Sequence, residues 1–299
     1  MFKTVHLGDD ANPFEAALAV VPLRALYIHE EIVQEFLDKL IISLTESNVF
    51  KHPIIVDKNS NVILDGMHRY QALRLLGYNY IVACLVDYNH SAIKIGRWHR
   101  VIEGKLRERE LIKIINFLEK KQVSEISLEK VSIEMLEQDL RKHKAAFGLY
   151  IGRENEVLGA YSDKNDVFLF YKLIKDLEIF LNRELGVAIS YRSDEILKEI
   201  KQAVKQRETC VIITPQVTKD DVVCNAVRRR IFPPKTTRHI MPIRPLFVNF
   251  PMDLLRGSQN VEKLNNILSK MLSQRRILKV RGKVYIDRFY EDEYLIVFS

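Results

Sequence analysis

The sequence predicts a mixed α/β (α+β) protein with more than one domain, and three observations lead there. The chain has 299 residues, about two domains at the usual ~100 to 200 residues each. Short β-branched runs alternate with stretches whose apolar residues recur at three and four residue spacing. Hydrophobic residues make up 47% and charged residues 28%, a balance that excludes a mainly disordered or collagenous chain.

The first element justified in this way is a helix over residues 31–44. Ile32, Val33, Phe36, Leu37, Leu40 and Ile41 share one face, and Glu30, Glu31, Glu35 and Asp38 load an acidic start placed at His29-Glu30. Pro53 to Val56, a polar turn from Asp57 to Asn61, and Val62 to Leu64 then read as a hairpin. Asp65-Gly66 leads into a second helix, Arg69 to Leu76, stopped by Gly77, and Tyr80 to Val86 reads as a strand returning beside the hairpin.

From Leu106 to Lys142 the spacing predicts two helices broken near Val123 to Ser127. Beyond Phe147 come strands at Val157–Tyr161, Val187–Tyr191 and Val211–Thr214, with helices at Val167–Leu181, from Asp194, and from Thr218. Thr218-Lys219-Asp220-Asp221 has the form of a capping box. The expected organisation is a first domain over residues 1–105, a helical connection over 106–145, a smaller α/β domain over 146–253 and an extension over 254–299.

Charge narrows the partners. Lys and Arg exceed Asp and Glu by 46 − 39 = 7, which favours anions without choosing between nucleotide, phosphorylated metabolite and nucleic acid. Cys84, Cys210 and Cys224 are odd in number and form no Cys-x-x-Cys pair, which points to a reducing cytoplasm. The apolar run Ala16 to Leu23 is too short to span a membrane, and Asp9, Asp10 and Glu15 stand where a signal peptide is basic. A location in the cytoplasm, away from membranes, is therefore expected.

Two constellations could carry chemistry. In Asp65-Gly66-Met67-His68-Arg69-Tyr70, a glycine at a strand-to-helix turn permits close approach of a ligand to the first free amides of the helix, and His68 and Arg69 add positive charge for a phosphate. Asp65 could hold Mg²⁺ or orient a hydroxyl; equally, it could cap the helix while Arg69 faces solvent. In Pro233-Pro234-Lys235-Thr236-Thr237-Arg238-His239, two prolines make a rigid extended segment that presents a dense set of polar side chains. Arg228 to Arg230 upstream could extend a basic patch, or simply favour a helix C-terminus.

Together, the hairpin, Asp65-Gly66-x-His68-Arg69, His29-Glu30, Trp98 and Pro234 to His239 resemble the free L-serine kinases of the ParB/sulfiredoxin-like fold. The resemblance runs over roughly residues 22 to 253 and is weakest from 106 to 145. It implies a ParB/sulfiredoxin-like N-terminal domain with a second, smaller domain closing over it, and transfer of a phosphoryl group from ATP or ADP, with Mg²⁺, to the hydroxyl of L-serine. In that pattern Glu30 matches the catalytic glutamate and Asp65 the acid near metal and phosphoryl group. Gly66, His68 and Arg69 match the phosphate cradle. Trp98, Lys235, Thr236, Thr237, Arg238 and His239 match positions enclosing serine, with Arg238 facing its carboxylate. Met67 departs from the pattern, standing where many members have a second histidine, and residues 254–299 resemble an extension of longer relatives found with siderophore genes.

The alternative is a ParB-like DNA-binding regulator, suggested by the net charge, Arg228 to Arg230, and Arg275, Arg276, Lys279, Arg281 and Lys283. It would need a helix-turn-helix between 106 and 142, where Glu125, Glu129, Glu134, Glu137 and Asp139 would repel a phosphate backbone. Nucleic acid is the less favoured partner.

Overall fold

The computed structural model describes residues 2–7, 13–103, 108–120, 126–152, 155–201, 210–287 and 289–299. Contacts divide the chain into two compact units. The first comprises Met1–Lys94, Val222–Pro234 and His239–Ser299; the second comprises Ile95–Asp221 and Lys235–Arg238.

The first unit is built on a five-stranded sheet of order β1-β2-β6-β4-β5. Its elements are β1 (Phe2–Leu7), β2 (Phe14–Pro22), α1 (Gln34–Thr45), β3 (Val49–Phe50), β4 (Ile54–Asp57), β5 (Ile63–Asp65), α2 (Met67–Leu75) and β6 (Tyr80–Val86). β4 and β5 form the expected hairpin, and β6 lies parallel to β4, with Ile54 opposite Ala83 and Asp57 opposite Val86. Ile54, Ile55, Val56, Ile63, Ile81, Val82 and Ala83 are buried, so the central strands read as nearly continuous apolar runs. The apolar run at Ala16 is β2, whose inner position between β1 and β6 accounts for its hydrophobicity.

Residues 254–299 belong to this first unit, where the sequence suggested an appendage. The strand Tyr294–Phe298 runs parallel to Ile243–Leu246 and antiparallel to Ile277–Arg281. Asn265, on the helix Val261–Ser273, accepts from the Val20 amide at 2.9 Å and donates to the Val20 carbonyl at 3.0 Å, so its side chain completes the backbone bonding of β2.

Helix α1 starts at Gln34, several residues later than the acidic run suggests. The preceding amides are taken by distant partners: Glu31 donates to the Phe232 carbonyl at 2.8 Å, and Val33 donates to His68 Nε2 at 3.1 Å. Glu30 is thereby drawn into a β-bridge with Phe232 and lies outside the helix.

The second unit carries a six-stranded sheet in the order Ala188–Arg192, His99–Glu103, Cys210–Ile213, Ala145–Ile151, Glu156–Ser162, Ile126–Lys130, with every neighbour antiparallel. Helices Glu108–Lys120 and Ile133–Arg141 flank the last of these strands in sequence. The expected pair of helices is therefore interrupted by a strand, because Ile126-Ser127-Leu128 alternates half-buried and exposed positions and pairs with Glu156–Ser162. The expected start at Leu106 and break at Val123 lie outside the described residues. The capping box forms: Thr218 donates from its amide to Asp221 Oδ2 at 2.9 Å, and the Asp221 amide donates to Thr218 Oγ1 at 3.1 Å. No helix among the described residues is long and apolar enough to cross a membrane.

Candidate functional site

In the first unit, the turn between β5 and α2 is shaped by Gly66, whose φ is +95°. A Cβ there would stand 2.5 Å from Ile54 Cγ2 and 2.8 Å from Arg69 Nη2, so both the conformation and the space require glycine. Helix α2 starts here with Gly66 at its N-cap, a residue that has no side chain of its own to cap the first turn.

Asp65, at the end of β5, accepts on Oδ2 from Arg69 Nη2 at 2.8 Å and from Arg244 Nη1 at 2.7 Å. Arg244 also holds Asp292 at 2.8 Å. Burial opposes the charge of Arg244, yet Asp65 and Asp292 outweigh it and hold the guanidinium firmly protonated. Arg244 carried no local signal in the sequence; only the fold brings it to Asp65.

Arg69 also donates to the His52 carbonyl at 3.1 Å, so its fork is fixed between a backbone oxygen and Asp65. His68 accepts the Val33 amide on Nε2, which leaves that nitrogen without a proton. Its imidazole thus ties the start of α1 to the start of α2.

Glu30 is 9% exposed and sits in the bridge with Phe232; its amide lies 3.4 Å from Met67 Sδ. Met67 therefore meets the backbone of the glutamate segment at the first residue of α2. Preceding it, His29 is fully buried and donates from Nδ1 to the Ile63 carbonyl at 2.7 Å. Burial holds this imidazole below its ordinary pKa, against the opposing pull of Glu30. His239 packs edge-on to His29 with ring centroids 5.2 Å apart, and its Nε2 shares a 2.6 Å hydrogen bond with the Tyr88 hydroxyl. Burial pushes the Tyr88 hydroxyl up, with Asp57 adding to the effect, so it stays protonated.

In the second unit, Trp98 has Lys235 Nζ at 5.1 Å and Arg238 Cζ at 5.4 Å from its ring centroid. Thr236 and Thr237 are buried. The backbone of this segment is anchored by Arg100, a fully buried side chain that donates to the carbonyls of Trp98 at 2.7 Å and Lys235 at 3.1 Å and to Glu178 at 2.5 Å. Lys235 has φ +62°, a left-handed conformation uncommon outside glycine. Beneath the strand, Asp194 accepts from Arg97 at 2.8 Å and His99 at 3.0 Å. Burial alone would raise the Asp194 carboxyl, but His99 and Arg97 hold it well below the usual carboxylate range.

The expected residues accordingly fall in two sets. Glu30, Asp65, Gly66, His68, Arg69 and His239 belong to the first unit; Trp98, Lys235, Thr236, Thr237 and Arg238 belong to the second. Composition and spacing gave no sign of Arg244, Arg100, Tyr88 or Asp194, whose roles arise from contacts between segments far apart in sequence. For a metal, Asp65 brings one carboxylate whose Oδ2 already serves two guanidinium groups. Among the described residues no group of three or more His, Cys, Asp or Glu is placed to hold a metal ion.

No protein-family model matches the chain. It is 28% identical over 247 residues to an ATP-dependent L-serine kinase of Staphylothermus marinus, covering 79% of this chain and 90% of that protein. It is 27% identical to the ADP-dependent L-serine kinase SerK of Thermococcus kodakarensis, covering 73% and 84%. A ParB-like protein of Sulfolobus acidocaldarius is 28% identical, covering 71% and 84%. Among solved structures, a glutamate-to-alanine variant of a free serine kinase in complex with AMP has a TM-score of 0.65 at 22% identity, covering 80% of this chain and 93% of that one. SbnI of Staphylococcus aureus, with a C-terminal truncation, has a TM-score of 0.63 at 15% identity, covering 86% and 95%. What these structures share with the chain is the fold.

Proposed function

We infer that this chain belongs to the free L-serine kinases and transfers a phosphoryl group from ATP or ADP to the side-chain hydroxyl of L-serine, giving O-phospho-L-serine. The observation that carries this reading is the meeting of the buried Glu30 segment with the first turn of α2, one residue beyond Gly66. It puts a carboxylate-bearing segment against a helix start suited to phosphate, in a chain similar to named L-serine kinases over most of its length.

Phosphoryl transfer asks a protein for positioning, charge neutralisation and an orienter for the nucleophile. In this reading the amides and Arg69 at the start of α2 bind nucleotide phosphates. Glu30 accepts the proton of the serine hydroxyl as that oxygen bonds to phosphorus and the bond from phosphorus to the nucleotide oxygen breaks. Asp65, held between Arg69 and Arg244, keeps the Arg69 fork aimed across the turn. Trp98 and Lys235 to Arg238 enclose serine, with the planar fork of Arg238 suited to its carboxylate. Mg²⁺ bound to the nucleotide would supply neutralisation of phosphate charge, with Asp65 the protein acid expected beside it. A cytoplasmic location, among soluble substrates, belongs to the same reading.

The test is direct: purified protein, L-serine and Mg²⁺ are incubated with ATP or with ADP, and phosphoserine is measured. Formation with either donor supports the reading and identifies the donor. No phosphoserine with either would overturn it in favour of a metabolite-binding or regulatory protein. The ParB-like alternative draws on the Sulfolobus relative's name. Against it, the stretch where a helix-turn-helix was required contains the strand Ile126–Lys130 between its helices.

A further inference from the structure

The first unit contains a cavity of about 730 Å³ that the serine kinase reading does not use. Its wall comes from the end of β2 and the following turn, from the α2 face carrying Tyr70 and Arg74, and from the segment around Arg229. Three arginines line it, Arg24, Arg74 and Arg229, together with tyrosines that include Tyr27, Tyr70 and Tyr78; among the described residues no Asp or Glu does. All three arginines are exposed, so their guanidinium groups are available to a ligand. Arg74 lies in the last turn of α2, where a cation suits the helix dipole. That account does not extend to Arg24 and Arg229, which come from a 3-10 turn and from a residue with φ +58°.

Three like charges lining one cavity repel one another, an arrangement that a bound polyanion relieves. Guanidinium forks match phosphate oxygens in pairs, while tyrosine rings offer flat apolar faces. The volume falls within the range of roughly 300 to 1,000 Å³ typical of small-molecule sites. A neutral nucleoside would not require three positive charges.

We propose that this cavity is a second nucleotide site, binding a nucleoside phosphate with its base against the tyrosines and its phosphates on Arg24, Arg74 and Arg229. Its arginines are not those of the cradle at Gly66 to Arg69: Arg74 lies five residues, or about 8 Å, further along the helix than Arg69, and Arg24 and Arg229 come from other segments. The wall includes Ile28 and Ile231, which directly precede His29-Glu30 and the bridging Phe232. Occupancy therefore acts on the backbone that holds Glu30, and the site is regulatory.

Calorimetric titration of the full chain with ADP tests this. Wild type is expected to bind two equivalents. The double variant Arg74→Ala, Arg229→Ala is expected to lose one binding event, its affinity falling roughly 100-fold or more for two lost charge-assisted contacts. Arg69→Ala is expected to weaken the other event. Because both substituted arginines are exposed, an unchanged thermal midpoint is expected and will show that the double variant folds. A single equivalent in wild type overturns the proposal, whether or not the double variant abolishes it. The serine kinase reading is judged separately by phosphoserine formation in wild type, and stands or falls independently.

Discussion

Asp65 and Arg244 stand 179 residues apart in sequence and 2.7 Å apart in the fold. The pair joins the end of the second hairpin strand to the C-terminal sheet, and Arg244 then continues to Asp292 at 2.8 Å. One buried guanidinium thus serves two carboxylates from different segments of the same unit.

Removing it leaves both acids beside an apolar interior with one partner fewer. Arg244→Ala is expected to destabilise the first unit by about 3 to 5 kcal/mol, the usual scale for breaking a buried pair. Arg244→Lys should recover only part of this, since one ammonium cannot reproduce the two-sided fork. Urea unfolding of the three proteins measures the difference; equal midpoints would show that the pair contributes nothing.

Gly66→Ala meets two obstacles at once, a left-handed backbone and a Cβ 2.5 Å from Ile54 Cγ2. A loss of about 1 to 3 kcal/mol is expected from strain alone. Because the same turn aims the first amides of α2, nucleotide affinity should fall more than tenfold while serine affinity changes little. Calorimetry with each ligand separates the two effects.

Glu30→Gln keeps the bridge to Phe232, which is made by backbone, and removes only the proton acceptor. Phosphoserine formation is expected to fall by ~10² or more, the scale of general-base assistance, with nucleotide affinity preserved. Near-normal turnover would move the role to another group.

Local signals account for what was legible in the sequence. The hairpin, α2 and the strand Tyr80–Val86 follow from β-branched runs and from glycines at both helix ends, and each forms close to its expected bounds. The start of α1 was misplaced because Phe232 and His68, unseen by any local pattern, take the amides of Glu31 and Val33. The strand Ile126–Lys130 was hidden by its length of five residues between two helices. Glu30, Asp65 and Arg69 stood out through their motif, whereas Arg244 and Arg100 are single arginines whose meaning lies entirely in long-range contacts.

His52 provides a pH test. Burial, then Arg69, lowers its pKa to about 4, with Asp287 opposing and Lys51 adding to the decrease. Above the ordinary histidine value near 6.5 both folded and unfolded chains hold it neutral, so it has no effect there. Between about 6.5 and about 4 the unfolded chain binds a proton that the folded chain refuses, so stability falls as pH falls through that window. Allowing for partial solvent screening, the loss attributable to His52 is about 2 kcal/mol. His52→Gln should flatten the dependence of urea stability on pH over this range by that amount; an unaltered slope would remove His52 as its source.

The last prediction concerns Arg100, which lies within the second unit and touches neither phosphate cradle nor Glu30 in the reading given above. Its guanidinium donates to the carbonyls of Trp98 and Lys235, so it sets the distance between the indole and the segment that faces serine. Glu178 fixes the other side of the fork, and Tyr191 both lies 5.4 Å from the guanidinium and donates its hydroxyl to Glu178 at 3.0 Å. Arg100 is therefore a positioning residue, and lysine, with a point charge on a flexible stem, cannot hold two carbonyls and a carboxylate in one plane. Arg100→Lys is expected to raise the KM for serine at least tenfold while the KM for nucleotide stays within twofold, whereas Tyr191→Phe, which loses one supporting hydrogen bond, should show a smaller rise in the serine KM alone. Steady-state kinetics with each substrate varied in turn reads the split. A variant that loses thermal stability with both KM values unchanged would show that Arg100 only holds the fold together.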